Sequence, residues 1–189
     1  VFRYFKNYES YFGTTKKKIT IRHLLTMTSG LEWNEAISYR DPGNSELQMD
    51  NSDDPIKYIL SRQAVFQPGS TWNYNGGETL LLAEILKAVS GENIALFAEK
   101  NLFKPLGIER YEWLTLKKDM PAAASGLRLR SRDLLKIGLL YMENGQWNNT
   151  QILNQAWTEQ SLRSQVLRPA STNNGGYGYQ FWTYTDTIN

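Results

Sequence analysis

Apolar residues recur at helical spacing most clearly in residues 77–89, and Gly91 lies just beyond this segment. Large apolar side chains at such intervals form the buried stripe of an amphipathic helix, and a glycine after the last turn is the usual stop signal. The pattern therefore predicts a helix with one face in the core. That face is predicted to contain Leu81, Leu82, Ile85, Leu86 and Val89.

Residues 132–143 carry the second strong helical pattern. Ser131 precedes it as a plausible N-cap, and Asn144 and Gly145 follow it. The number of leucines predicts a strongly buried helix, and we expect it to be among the best protected elements together with 77–89. Its core face is predicted to contain Leu134, Leu135, Ile137, Leu139 and Leu140.

Weaker patterns predict shorter elements elsewhere. Further helices are predicted over 20–27, 54–60, 93–101 and 156–161. Residues 34–54 are rich in Asn, Asp, Pro, Gly and Ser, which indicates a long surface excursion with at most one helical turn. Residues 177–184 alternate and are rich in aromatic side chains, so they form the one convincing predicted strand. Five or so helices and one strand leave several apolar faces without a partner.

Composition narrows the classes of protein that this chain can belong to. With 189 residues, 41% hydrophobic and 21% charged, the chain fits one globular domain or a large piece of one, and it is too apolar to be disordered. The formal net charge is only +2, so no strong positive field is available for nucleic acid, and we expect none to bind. The apolar runs fall far short of the ~20 residues that a membrane span needs.

Two residue types limit the possible chemistry. The sequence contains no cysteine, which excludes disulfides, thiolate metal sites and a cysteine nucleophile. Its one histidine, His23, cannot build a multi-histidine metal site, and its apolar neighbours favour a structural role. None of the serines begins a Ser-x-x-Lys sequence, and Gly-x-Ser-x-Gly is also absent.

The strongest local candidate for chemistry is Tyr74, which stands in a Gly-rich turn, residues 72–77, directly before the best predicted helix. Such a turn places a phenol and backbone N–H groups at a helix N-terminus, where developing negative charge is stabilised. Taken alone, this arrangement is compatible with either a catalytic or a structural tyrosine.

Several segments resemble one family. Ile19–Leu31, with the sequence ITIRHLLTMTSGL, resembles the ITIRHLLTHTSGL segment of the penicillin-recognising serine hydrolases, which include class C β-lactamases, DD-peptidases, esterases and amide hydrolases. Residues 68–91, 102–108 and 125–134 are similar to later segments of the same family in the same order. The resemblance spans nearly the whole chain, and the subgroup that includes aminohexanoate-oligomer hydrolases is the most similar.

Three motifs carry the chemistry of that family. The resemblance implies a Ser-x-x-Lys nucleophile upstream of Ile19, a Tyr-x-Asn motif, and an oxyanion-hole strand downstream of Trp182. Tyr74 matches the tyrosine, the general base and acid, whereas the third position of the motif is Gly76 rather than Asn. Asn75 or backbone N–H groups are the possible replacements for the substrate-binding amide.

The resemblance implies an α/β (α+β) serine β-lactamase-like fold, of which residues 1–189 form the mainly helical part. On this interpretation the N-terminal Ser-x-x-Lys segment and the C-terminal sheet strands are missing, so apolar faces that pack on the sheet are expected to be exposed. The implied function is that of the central part of a serine hydrolase acting through an acyl-enzyme on a β-lactam, ester, amide or D-amino-acid peptide. As given, the chain is expected to be inactive. The alternative is a catalytically silent binding or sensing module.

The implied site is small and contains no metal or cofactor. Tyr74 is the predicted catalytic residue, and Asn75, Gly76 and Trp72 are predicted to bind substrate. Trp33, Trp113 and Tyr177 are weaker candidates for a groove wall because such aromatic residues more often belong to the core. The expected partner is a small-molecule or short-peptide substrate. Oligomeric state stays open, and the family resemblance alone suggests an extracytoplasmic location.

Overall fold

The computed structural model describes residues 1–169 and 175–184, and helices dominate it. In the described residues none of the helices is both long and apolar enough to cross a membrane. Short 3-10 turns lie at Phe2–Tyr4, Lys6–Tyr11, Lys16–Lys18 and Lys117–Asp119, and a π-helical turn covers Glu99–Phe103. The α-helices are α1 (Ile21–Leu25), α2 (Ser45–Asp50), α3 (Pro55–Ser61), α4 (Gly76–Ser90), α5 (Ile94–Ala98), α6 (Ser131–Met142) and α7 (Gln155–Leu162).

The strands are short and form three small antiparallel sheets. Strands β1 and β2 pair with Tyr111 opposite Leu129, and the tight β3–β4 hairpin pairs Gln146 with Gln151. Strand β6 lies between β5 and β7. The strands are β1 (Tyr111–Trp113), β2 (Leu127–Leu129), β3 (Gln146–Trp147), β4 (Thr150–Gln151), β5 (Val166–Leu167), β6 (Gly176–Tyr177) and β7 (Trp182–Thr183). The expected mainly helical part of a β-lactamase-like fold is confirmed.

Helix α4 is the centre of the larger core and packs against α1, α3 and α5. Leu81 and Ile85 of the predicted face are 1% and 5% exposed, which confirms the predicted buried helix, and Leu80, outside that predicted face, is also buried. Its last turn differs from the prediction, because Val89 is 62% exposed at the end of the helix. The αL conformation of Gly91 then ends α4, as its position in the sequence predicts.

Helix α6 is present, but the prediction that it is strongly buried is wrong. Leu140 is fully buried in a second, smaller core with Phe103, Leu106 and Ile108. The opposite apolar face points outward, because nothing in the described residues covers it. The exposed large side chains of this face are Leu134, Leu135, Leu139 and Met142. Ser131 is the first helical residue rather than the N-cap, which is Arg130.

The segment predicted as a surface excursion, residues 34–54, contains α2. The Asn44 side chain caps this helix by accepting hydrogen bonds from the backbone N–H groups of Glu46 and Leu47. Glu46 and Met49 are buried, at 3% and 1% exposure. The segment therefore supplies part of the core and, through Glu46, a buried carboxyl group.

The predicted strand over 177–184 is two strands, β6 and β7, joined by a tight turn. Gln180, with φ of 65°, turns the chain. Its side chain donates to the carbonyl oxygen of Leu24 and accepts a hydrogen bond from the hydroxyl group of Thr79 in α4. The alternating pattern marked the strands correctly but did not reveal the turn. These contacts dock the hairpin beside the start of α4.

His23 has a structural role in α1. Its backbone N–H donates to the Thr20 hydroxyl oxygen, and its Nδ1 accepts from the Thr20 backbone N–H. This reciprocal pair satisfies two N–H groups at the start of the helix. Burial and the neighbouring charge of Arg22 lower the pKa of His23, which keeps the ring neutral as an acceptor near neutral pH.

Candidate active site

Two asparagine side chains hold the Tyr74 turn, residues 72–76, in place, and the glycine that follows it has no side chain to keep it away from the core. Asn75 caps α4 by accepting from the backbone N–H of Glu78 at 3.2 Å. The Asn73 side chain donates to the Trp33 carbonyl oxygen at 3.0 Å. At Gly77 a Cβ would lie 2.8 Å from the Trp33 ring and 2.9 Å from Ile59, so only glycine permits this approach. The Asn75-Gly76-Gly77 sequence thus allows the turn to pack closely against the core.

Tyr74 lines a cavity of about 420 Å³ directly before α4. Its ring is half-buried, and its hydroxyl forms no hydrogen bond with any residue that the structure describes. The phenol is thus in the position expected of a group that faces a substrate. The cavity is lined by Glu35, Ala36, Trp72, Asn73, Tyr74, Pro169 and Trp182.

An aromatic cluster builds one wall of this cavity. The Trp182 ring from β7 lies 5.3 Å from the Tyr74 ring and 5.5 Å from the Trp72 ring, measured between centroids. Tyr177 closes the cluster from behind, at 2% exposure. The Arg168 guanidinium lies over the Trp182 ring, 4.5 Å from its centroid. Trp182 was not predicted as a site residue, because only the folded hairpin brings it to Tyr74.

The structure brings together the predicted site residues but gives two of them other contacts. Trp72 and Tyr74 both face the cavity. Asn75 is 1% exposed and its amide oxygen is used by the helix cap, while the Gly76 N–H donates to Glu35 Oε2 at 2.8 Å. Their substrate-binding role stays a prediction. Of the weaker candidates, Trp33 and Tyr177 are buried and Trp113 packs in the second core.

Acidic groups dominate the electrostatics around Tyr74. Burial raises the pKa of Tyr74, and the nearby Glu35 and Glu46 carboxyl groups raise it further. A phenol with a raised pKa is a poorer base near neutral pH, so Tyr74 needs a neighbouring cation to act as one. Among the described residues, no group of acidic and histidine side chains is arranged to hold a metal ion.

Sequence reasoning also missed Glu35. Its Oε2 accepts from the Trp33 indole N–H at 2.8 Å and from Gly76, and its Oε1 accepts from the Tyr39 hydroxyl at 2.7 Å. The available signal was the Gly76–Gly77 pair, which indicates that other residues approach the turn closely. The sequence does not indicate which residues these are.

A larger cavity, of about 480 Å³, lies between residues 4–8 and the C-terminal half of α4, away from Tyr74. Of its two acidic groups, Asp54 pairs with Lys118 and accepts from the Tyr8 hydroxyl at 3.1 Å, and Glu84 pairs with Lys87 at 3.8 Å. These polar groups satisfy one another, so only the larger volume favours this cavity as a site. The Tyr74 cavity is therefore the better candidate for chemistry.

Glu78 is a fully buried carboxyl group under the turn. Its Oε1 accepts from the hydroxyl and the backbone N–H of Ser29, while its Oε2 is buried and has no hydrogen-bond partner within residues 1–169 and 175–184. Burial raises the pKa of Glu78 well above its usual 4.5. Glu78 is therefore protonated in the folded chain at pH values where the unfolded chain has released that proton.

The stability of the chain is therefore expected to fall as pH rises above about 4.5, by at most about 1.4 kcal/mol per pH unit for the one proton of Glu78. The Glu78→Gln variant lacks this proton, so its free energy of unfolding should decline less steeply with pH. Urea unfolding between pH 4.5 and 8 measures the slopes, with the exposed Glu143→Gln as control. Parallel slopes for Glu78→Gln and the wild type would show that Glu78 is ionised in the fold.

The sequence model of the Beta-lactamase family matches residues 3–189. The chain is 32% identical over 111 residues, 59% of its length and 26% of the relative's, to the "Putative penicillin-binding protein PbpX" of Bacillus subtilis (strain 168).

Solved structures give the same picture of the fold. The "Putative 6-aminohexanoate-dimer hydrolase" from Bacillus anthracis superposes with a TM-score of 0.80 at 24% identity, over 96% of this chain and 50% of that one. A D-stereospecific amidohydrolase from Streptomyces sp. superposes with a TM-score of 0.65 at 19% identity, over 92% and 61% of the two chains. The chain spans about half or less of the first two relatives. Together, the family match over nearly every residue and the shared fold show that this chain belongs to the Beta-lactamase family of serine hydrolases.

Proposed function

We propose that this chain is the central part of a serine hydrolase that forms an acyl-enzyme, and that Tyr74 is its general base and acid. The observation that carries the proposal is the half-buried Tyr74 hydroxyl in the wall of the aromatic cavity, directly before the N-terminus of α4. Membership of the Beta-lactamase family supports it. The domain is proposed to extend beyond residues 1–189 to a Ser-x-x-Lys segment and to further strands.

The proposed reaction is acyl transfer in two steps. The serine hydroxyl attacks the carbonyl carbon of the substrate and loses its proton to a base, and the leaving group receives a proton as its bond to carbon breaks. Water then attacks the acyl-enzyme and regenerates the serine. Tyr74 is placed to exchange these protons, provided that the lysine of the Ser-x-x-Lys motif offsets the acidic groups that raise the pKa of the phenol.

The cavity is compatible with an acyl group that has both apolar and polar parts. Trp72 and Trp182 offer apolar ring faces, and Glu35 adds a carboxyl group at the edge. The proposed substrates are β-lactams, esters, amides and peptides with D-amino acids. The fold does not choose among them, because function depends on the site rather than on the framework.

The test is a search for the acyl-enzyme in the natural protein that contains these residues. We expect a β-lactam or an activated ester to add one acyl mass, located by peptide mapping on the serine of a Ser-x-x-Lys sequence. The variant with alanine at that serine should show no adduct. Binding of the reagents without any adduct would contradict the proposal and favour a catalytically silent binding module.

A further inference from the structure

The space above Gly76 is filled by two carboxyl groups from other parts of the chain. A Cβ built at this position would lie 3.0 Å from Glu46 Oε2 and 3.2 Å from Glu35 Oε2. The third position of the Tyr-x-Asn motif therefore lacks a side chain for a steric reason, because a larger residue would have to displace one of the two groups.

The two carboxyl groups lie close to the same point above Gly76, and Glu46 is shielded from water whereas Glu35 is half-buried. Glu46 Oε2 and Glu35 Oε2 approach the same point beside Gly76, and a proton held between the two carboxyl groups removes the repulsion of two adjacent charges. Glu46 is 3% exposed, and its Oε1 is buried without a hydrogen-bond partner in the part of the chain that the structure describes. An unpartnered oxygen in such a place is costly when charged, so the neutral form of Glu46 is favoured.

The pair also connects three segments of the chain. Glu46 lies on α2, Glu35 lies on the loop before α2, and Glu35 Oε2 accepts the Gly76 N–H of the Tyr74 turn at 2.8 Å. Trp33 and Tyr39 donate two more hydrogen bonds to Glu35. Glu35 is therefore the acceptor that fixes the turn relative to the loop and to α2.

We propose that Glu35 and Glu46 share one proton and act as positioning residues for Tyr74, and that losing this proton at alkaline pH loosens the Tyr74 turn. With the proton in place, the pair carries a single negative charge. After the proton is lost, the buried Glu46 carboxylate and the half-buried Glu35 carboxylate repel each other beside Gly76 and Tyr74. The role in catalysis rests on the function proposed for Tyr74, whereas the shared proton does not.

The surrounding charges support this direction. The titratable groups that interact with Glu46 are Glu35, Asp50 on the same helix, and the phenols Tyr39 and Tyr74. Burial, followed by the hydrogen bond to Glu35, raises the pKa of Glu46 to about 8. Burial and the charge of Glu35 raise the pKa of Asp50 to about 6. The second ionisation of the pair thus falls just above neutrality.

The first experiment is a carbon-13 NMR titration of the side-chain carboxyl groups in the chain itself. We expect Glu46 to titrate near pH 8 in the wild type and about one pH unit lower or more in Glu35→Gln, which removes the neighbouring charge. The Tyr74 phenol signal should shift together with the Glu46 titration. The matched comparison is Asp50→Asn, one helical turn from Glu46, which removes a more weakly interacting charge and should lower the Glu46 titration less than Glu35→Gln does. A Glu46 titration near 4.5, or one that Glu35→Gln leaves unchanged, would overturn the proposal.

The second experiment tests the shared space at position 76 by a double-mutant cycle. Gly76→Ala should lower the melting temperature, and Glu46→Ala should remove part of that loss because it takes away the nearest of three contacts, while Ala124 Cβ and Glu35 Oε2 stay 3.2 Å from the new Cβ. Additive effects of the two changes would contradict the proposal. If Glu46→Ala does not fold, the carbon-13 NMR titration of Glu46 in Glu35→Gln still tests whether the two carboxyl groups share a proton.

A third measurement separates this inference from the proposed function. In the natural protein, Glu46→Gln should remove the Glu46 titration from the alkaline limb of the kcat/KM profile, whereas Asp50→Asn should keep that titration and shift it only slightly to lower pH. An unchanged limb in Glu46→Gln would refute the link to catalysis. Absence of any acyl-enzyme would instead count against the proposed function, while the NMR titration would still report on the shared proton.

Discussion

Replacing Tyr74 by phenylalanine is expected to lower kcat/KM for an ester or β-lactam reporter by about 10²–10⁴-fold in the natural protein, the effect typical of losing a general base. The substitution removes only the hydroxyl group, and that group has no hydrogen-bond partner among the described residues. Folding stability should therefore change little. Steady-state kinetics and thermal unfolding of the same preparations measure the two effects.

Tyr8→Phe is the matched control for Tyr74→Phe. It also removes one phenol hydroxyl, but that hydroxyl contacts Asp54 at the other cavity, outside the Tyr74 site. We expect its kcat/KM to equal that of the wild type. A Tyr74→Phe protein that turns over the reporter at the wild-type rate would make Tyr74 a structural residue.

The second large effect is on folding. Leu80→Ala in α4 is expected to lower the free energy of unfolding by about 2–5 kcal/mol, because this side chain is 1% exposed and its removal leaves a cavity in the larger core. Leu134→Ala in α6 should change it by no more than about 0.5 kcal/mol, since Leu134 is 61% exposed. Urea unfolding of the chain measures both values.

The difference between the Leu80→Ala and Leu134→Ala effects tests whether the outward face of α6 is exposed in solution. Both belong to strongly apolar helices, yet the apolar pattern places Leu134 on the predicted core face of α6 and does not place Leu80 on that of α4. Equal losses of stability in the two variants would mean that the outward face of α6 is covered in solution, for example by self-association. The dependence of the Leu134→Ala result on protein concentration would then identify that contact.

The helices could be predicted because their signals are local. The apolar period, the capping residue Asn75 and the stop at Gly91 all lie within α4 or next to it. Which apolar face meets a partner is not a local property. Helix α6 has a clear apolar pattern, yet its outward face finds no cover in the described residues, so burial could not be deduced from the period.

The candidate site was only half predictable for the same reason. Tyr74 and Trp72 could be found from the turn and the family resemblance. Trp182 reaches Tyr74 because a turn at Gln180 folds the hairpin back, and a strict alternation of side chains conceals such a turn. Glu35 and Glu46 are isolated charges in a polar stretch, and only the folded chain places them against Gly76.

The most direct test of the central claim, that Tyr74 moves protons during acylation, is a single-turnover measurement of acyl-adduct formation by rapid quenching and intact-mass detection. Wild type and Tyr74→Phe are compared in the natural protein at saturating reporter. The account predicts the same adduct on the same serine in both, formed about 10²–10⁴-fold more slowly in Tyr74→Phe. Equal rates of adduct formation in the two proteins would contradict it.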